Sequence, residues 1–319
     1  MKGKKAVFEK SKGLELVETE VNSPHIEVYY SGINYKDALG VTGRGAIFKK
    51  EPIVPGIDFS GKALKGEYKG QNVIAQGCGF GESFDGGYTQ YSDCTGEHLI
   101  PLPKELSPKE AMVLGTAGFT AALAIHRMLQ NGLTPESGAV LVSGATGGVG
   151  SFAIQILNKL GFRVEALTHR PEHEAYLKDL GAKEVLSPKE VYEHKPRPLE
   201  KARWAGVIDN LGGEFLEGVL PQVTPWGVVS SIGLAKGAEF KTTVMPFILR
   251  GVSLLGASST HCPMSLRKEL WGKLASDWKP LKIEELIYKE VALEEVLDSS
   301  HKILDHKSVK GRFLVNLKK

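Results

Sequence analysis

The stretch VLVSGATGGVGSFAIQILNKLG, residues 140–161, constrains this chain more than any other. A β-branched run leads into Gly144, Gly147 and Gly150 at three-residue steps, and an amphipathic helix follows with Val149, Ala153, Ile156 and Leu160 on one face. Glycines let the backbone turn sharply and approach a pyrophosphate, while the free N–H groups of the helix start face its negative charge. Thr146, Gly147, Gly148 and Val149 are the residues that would meet it. The context of strand, turn and helix carries this reading, because a glycine triplet alone is common.

Around this turn, strand-like and helix-like segments alternate. AVLVSG, RVEALT, EVLS, WAGVIDNLG and GVVSSIG read as buried strands, with GGVGSFAIQILNKLG, PEHEAYLKDLG and EFLEGVLPQV as helices between them. The pattern predicts a doubly wound parallel sheet of the Rossmann kind, in the α/β class. Asn210, Leu234 and Leu254 fall at or near the ends of later strands, where such a sheet presents its ligands.

Before about residue 105 the text differs. HIEVYYSGIN, IDFSGKAL, QNVIAQGCG and GGYTQYSD are short β-like runs broken by Gly and Pro, which suggests a compact barrel of antiparallel strands. In SPKEAMVLGTAGFTAALAIHRMLQNG, Ser107 can cap one helix and a second carries Phe119 and Leu123. After VSLLGAS come two amphipathic segments, SLRKELWGKLASDW and LEEVLDSSHKILDH, and a last strand, RFLVNL, read as partly returning to the first domain. The expected division is residues 1–115 plus 256–319 for one domain and 116–255 for the nucleotide domain.

The second strand of the sheet ends about twenty residues beyond the glycines, where an acid usually accepts hydrogen bonds from the adenosine ribose. This chain has Thr168, His169 and Arg170 there. An acid would repel a 2′-phosphate, whereas the Arg170 guanidinium offers it a fork of donors, with Thr168 and His169 adding hydrogen bonds. NADP(H) is the expected cofactor. The other reading of Arg170, a solvated residue at a helix start, puts a cation where the helix dipole disfavours it.

Composition narrows the partners. A formal charge of +3 from 40 basic and 37 acidic residues is no nucleic-acid footprint. Cys78, Cys94 and Cys262 lie far apart without a C-x-x-C pair, so the sequence suggests neither a disulfide framework nor a zinc knot. A cytoplasmic location fits, and no export signal or membrane span is expected.

Five motifs in order, SGINYKDALGVTGRG, PGIDFSG, GTAGFTAA, SGATGGVG and TTVMPFILRGVSLLG, resemble the zinc-independent medium-chain dehydrogenases/reductases, in particular the YhdH/YhfP group with its acryloyl-CoA reductases of the AcuI type. The resemblance implies a GroES-like β-barrel catalytic domain from the N-terminal part and the tail, and a homodimer. Zinc relatives carry a cysteine where this chain has NYKD and Gly-His-Glu where it has GID, so no metal is expected. Without a Lewis acid, reduction of a polarised double bond is the natural chemistry, and the resulting enolate must be stabilised and protonated.

Tyr35 is then the candidate to stand beside the nicotinamide and deliver that proton or position the acceptor, with Asn34 orienting a carboxamide or substrate carbonyl and Asp37 holding the loop. Packing for Tyr35, a turn for Asn34 and a helix cap for Asp37 are the plain structural alternatives. Thr120 resembles the family threonine near the nicotinamide amide, and Arg312 the basic residue that reaches the cofactor phosphates from the tail. Lys36, Arg44, Lys49 and Lys50 are cations that could attract coenzyme A phosphates. His261 and Cys262 are read as loop residues, because adjacent side chains rarely face each other. The expected partner is a small-molecule substrate. The leading reading is reduction of a short enoyl-CoA such as acryloyl-CoA; a quinone or enone oxidoreductase is the alternative, and a non-catalytic NADPH-binding protein the third.

Overall fold

The computed structural model describes residues 1–305 and 309–318. The chain divides into two units, Met1–Phe119 with Ser259–Asp277 and Ile283–Lys319, and Thr120–Ser258 with Trp278–Lys282. The divisions thus fall at 119/120 and 258/259 rather than at 115/116 and 255/256. One short piece of the tail departs from the expected division, since Trp278–Lys282 belongs to the second unit. The Lys282 backbone N–H donates to Gln155 Oε1 (3.0 Å), its ammonium to Asp179 Oδ2 (2.5 Å), and Lys159 Nζ to the Lys279 carbonyl (3.0 Å).

Among the described residues, the second unit holds a six-stranded sheet. Across it lie Glu184–Leu186, Val164–Leu167, Val140–Val142, Trp204–Asp209, Val223–Ser231 and Ser253–Gly256, each parallel to its neighbour. In chain order this is the doubly wound arrangement, and the winding reverses between Val140–Val142 and Trp204–Asp209. These strands are short apolar runs because both faces are covered; every residue of Trp204–Asp209 is buried. The helices Gly148–Lys159, Glu174–Asp179 and Gly213–Val219 alternate with them. Pro171 lies in the 3₁₀ turn that opens the second of these helices, where a missing N–H costs least, and Pro221 in the 3₁₀ turn that ends the third.

In the first unit the seven-stranded sheet runs Ile287–Val291, Arg312–Asn316, Ile26–Ile33, Asp58–Ala63, Asn72–Gln76 and Leu99–Pro101, with Tyr91–Ser92 also paired to Ile26–Ile33. The C-terminal strand lies antiparallel to Ile26–Ile33 with Phe313 opposite Ile33, so the tail does return to the N-terminal sheet. Ile26, Val28, Phe59, Val73, Phe313 and Val315 are buried in its core. A charged hairpin, Lys2–Glu9 with Gly13–Glu20, forms a separate two-stranded sheet.

The apolar run after Ser107 is one helix by hydrogen bonding, Pro108–Gln130, with a break at Gly115. Ser107 and Glu110 cap its start reciprocally, at 3.1 and 2.8 Å. Gly115 has φ 46° and ψ −150°, so the segment behaves as two helices end to end. The helix is long and apolar enough to cross a bilayer by those criteria alone, yet most of it is buried inside the protein.

Candidate active site

In the first unit, the break at Gly115 frees a backbone donor where a carboxylate waits for it. The Thr116 N–H donates to Asp58 Oδ2 at 2.5 Å. A side chain on Gly115, or on Gly32 of the facing strand, would collide with Asp58 and with the Arg312 guanidinium, which is why both positions hold glycine. Asp58 is wholly buried and also accepts from the Gly32 N–H (3.1 Å) and Asn34 Nδ2 (3.0 Å). Asn34 sits at the N-cap of the helix Tyr35–Val41. Its Nδ2 and backbone N–H both donate to Asp37 Oδ2 (3.0 Å each), while Asp37 Oδ1 accepts from the Ile57 N–H (3.0 Å). From the last strand, Arg312 Nη1 donates to Asn34 Oδ1 (2.8 Å) and Nη2 lies 3.9 Å from Asp58 Oδ2.

The result is a buried set of two carboxylates, one amide and one guanidinium, closed over by Tyr88, whose hydroxyl donates to the Gly32 carbonyl at 3.1 Å. Burial first, and then the negative charge of Asp58, push the Asp37 carboxyl up to about 7. Burial pulls Arg312 down while Asp58 and Asp37 hold it up, and it remains a cation. Burial also drives Tyr88 well above an ordinary phenol. From this anchored helix start, Tyr35 points outward and is 41% exposed.

In the second unit the glycine turn has the form a pyrophosphate needs. Gly144 adopts φ 56°, and a side chain at Gly150 would strike the Gly144 carbonyl and Ala145 backbone, so the helix packs directly against the strand end. Gly147 is the exposed N-cap of the 12-residue helix Gly148–Lys159, and no acid stands in its first turn. Across the reversal of winding, Asn210 donates from its N–H to Ser143 Oγ (2.9 Å) and from Nδ2 to the Ser143 carbonyl (2.7 Å). These residues therefore fit a dinucleotide by shape and by charge.

Comparison with known proteins agrees with both halves. The family described as zinc-binding dehydrogenase matches residues 148–276. YhfP of Bacillus subtilis (strain 168), which carries a provisional quinone oxidoreductase name, is 46% identical over 296 residues, covering 92% of this chain and 89% of YhfP. The acrylyl-CoA reductase AcuI of Ruegeria pomeroyi is 42% identical over 310 residues, covering 96% and 93%. The chain belongs to the YhfP and AcuI family of medium-chain dehydrogenases/reductases. Two solved family structures superimpose on nearly all of it: yhdH oxidoreductase of Salmonella enterica in complex with NADP, with TM-score 0.92, 38% identity and 99% of both chains covered, and B. subtilis yhfP with NAD bound, with TM-score 0.94, 42% identity and 99% of both. The Rossmann sheet and GroES-like domain are those of this family.

Within this family member, the residues singled out by sequence separate into groups. Asn34 and Asp37 are brought together with Asp58, which the sequence reading passed over, and Tyr35 stands beside them in the chain. Two roles need correction. The Asn34 carboxamide is spent on Asp37, Asp58 and Arg312, so it orients this cluster and presents no free amide to a ligand. Arg312 is 4% exposed and engaged with Asn34, so its guanidinium does not reach out to a cofactor phosphate.

In the second unit, Thr146, Gly147, Gly148 and Val149 form the turn and helix start. Thr168 Oγ1 accepts from the Arg170 N–H at 3.1 Å, which folds His169 and Arg170 into a tight turn after the second strand; His169 is exposed and Arg170 half-buried. Leu234 is exposed, Leu254 half-buried in its strand, and Thr120 buried in the long helix. Three of the cations proposed for coenzyme A already have carboxylate partners: Lys36 with Glu82 (2.6 Å), Arg44 with Asp305 (2.7 Å) and Lys50 with Asp85 (3.0 Å). His261 is exposed and Cys262 buried.

Proposed function

We propose that this chain is an NADPH-dependent reductase of the activated C=C bond of a short enoyl-CoA, converting acryloyl-CoA to propionyl-CoA. The observation that carries the reading is the outward Tyr35 on a helix whose first turn is locked by the buried Asn34, Asp37, Asp58 and Arg312 set. When bound, the reduced nicotinamide supplies a hydride. The thioester substrate then carries enolate character, and Tyr35, directly or through water, protonates its carbon. The buried cluster keeps the Tyr35 backbone in place, because three donors on Asp37 and three on Asp58 fix the strand, the helix start and the loop after Gly56 to one another.

Arg170 and Thr168 support NADPH over NADH, since Thr168, His169 and Arg170 rather than an acid stand directly after the second strand. YhfP, crystallised with NAD, makes this preference worth testing directly. Quinone reduction is the second reading, favoured by the 46% identity to YhfP. A homodimer belongs to the proposal, supported by the exposed Trp226 on the strand paired with the edge strand Ser253–Gly256 and the exposed Val244, Ile248 and Leu249 just before that edge strand.

The test is anaerobic NADPH oxidation with acryloyl-CoA and with a benzoquinone, on protein whose mass sedimentation should place at two chains. Saturable turnover of the thioester is expected, slowed roughly 10²-fold or more by Tyr35→Phe. Arg170→Ala should raise the NADPH KM about tenfold and leave NADH unchanged. Saturation by the quinone alone would select the second reading, and equal effects of Arg170→Ala on both coenzymes would remove the phosphate assignment.

A further inference from the structure

Two of the three thiols that the chain spaces far apart are carried by segments that lie against each other in the first unit. Cys78 stands in a loop of left-handed residues, with φ 68° at Gly77, 53° at Cys78 and 89° at Gly79. This conformation is unusual for a residue with a side chain. The Cys78 N–H donates to the Thr260 carbonyl at 3.1 Å, so the loop lies against the segment that carries Cys262. One wholly buried cation ties the two segments together: Arg267 donates to the carbonyls of Gln76 (2.8 Å), Ser259 (2.8 Å) and Cys262 (3.2 Å). Burial pulls the Arg267 guanidinium down, and Cys78 and Cys262 both act to hold it up. On the other side, Phe80 and Phe84 of the same loop meet His98 at ring distances of 6.1 and 6.4 Å, close in sequence to Cys94.

We propose that Cys78 and Cys262 form a reversible disulfide, with Cys78 the attacking thiol and Cys262 the resolving one. Cys78 is half-buried and open to a small oxidant, whereas Cys262 is 8% exposed and reached only from within the chain. Arg267 opposes the burial that pushes the Cys262 thiol up. At Cys94 burial and then Cys78 push the thiol up to about 12, so it stays protonated as a bystander.

The oxidant is a low-molecular-weight disulfide such as oxidised glutathione. Cys78 thiolate attacks one of its sulfurs, the S–S bond breaks and one thiol leaves; Cys262 thiolate then attacks the Cys78 sulfur and expels the second. Two cysteines are oxidised by two electrons, one disulfide is reduced, and both protons end on the released thiols. The new bond would tie together two segments that both touch Lys36, the neighbour of Tyr35: its Nζ bonds Glu82 Oε1 (2.6 Å) and lies 3.5 Å from Thr260 Oγ1.

The test equilibrates the full chain with oxidised glutathione, quenches with acid, counts thiols after denaturation and maps peptides. Loss of two of the three free thiols, with a linked peptide joining Cys78 to Cys262, is expected in the wild type and in Cys94→Ser. Cys262→Ser should stop as a glutathione adduct on Cys78, and dithiothreitol should restore all three thiols to the wild type. The wild-type map decides by itself should a variant fail to fold. Three thiols left free, or a link through Cys94, overturns the proposal, and neither result bears on the reductase reading.

Discussion

The buried cluster of the first unit and the glycine turn of the second are both candidate sites, built on opposite principles. Around Asp58 the carboxylates and the amide are already engaged inside the protein: the Asn34 amide, both Asp37 oxygens and both Asp58 oxygens have partners, and Arg312 hydrogen-bonds through Nη1. At Gly147 the functional groups are backbone donors of a helix start, exposed and open to an anion. Side-chain damage should therefore unfold the first site before it can be assayed, while the second can lose its ligand and keep its fold.

Arg312→Met tests the first half of that contrast most severely. It leaves the Asp58 carboxylate buried without its cation, and removing one partner of such a pair costs about 3–5 kcal/mol. Chemical denaturation should show the loss whether or not coenzyme is present; a variant as stable as wild type would mean that the ion pair holds nothing together.

Gly147→Asp probes the other half. The N-cap φ is −77°, which any residue adopts, and aspartate is a favoured N-cap, so stability should stay within about 1 kcal/mol. Its carboxylate would occupy the place of the pyrophosphate, and NADPH affinity measured by calorimetry should fall roughly 10²-fold. Unchanged affinity would move the coenzyme away from this turn.

A smaller effect comes from Asp37. Its folded pKa of about 7 lies above the ordinary 3.8, so the folded state holds this proton more tightly than the unfolded one. The penalty for ionising it is absent below about pH 4, grows as pH rises towards 7 and is complete above. Melting temperature should decline between about pH 4 and 7 in the wild type and level off above, and the slope should flatten in Asp37→Asn. Parallel slopes would place the titrating group elsewhere.

The same contrast explains what could be read from the sequence. The turn is contiguous, so Gly144, Gly147 and Gly150 with the strand and helix around them disclose it directly. The order of the sheet follows from its alternating segments, and the glycine in GTAGFT marks a break between two helical stretches. The cluster is assembled over long range. Asn34 and Asp37 stand in one short motif, but their partners are Asp58 on the next strand and Arg312 on the last, 278 positions beyond Asn34. An aspartate between Ile57 and Phe59 at the start of an apolar strand was the available signal that a buried charge needs a cation. Which cation depends on strand pairing, and Phe313 opposite Ile33 is what brings Arg312 to Asn34. The three cysteines were hidden for the same reason: spacing in the chain says nothing of a loop folded against Thr260.

That closing strand also orders events during synthesis. A ribosome makes the residues of the nucleotide sheet before it reaches residue 312, so the second unit has its whole set of strands while the first still lacks its guanidinium. Until then the barrel half would carry Asp58 without its counter-charge. The nascent chain is thereby biased to finish its inserted half first and to seal the flanking one last.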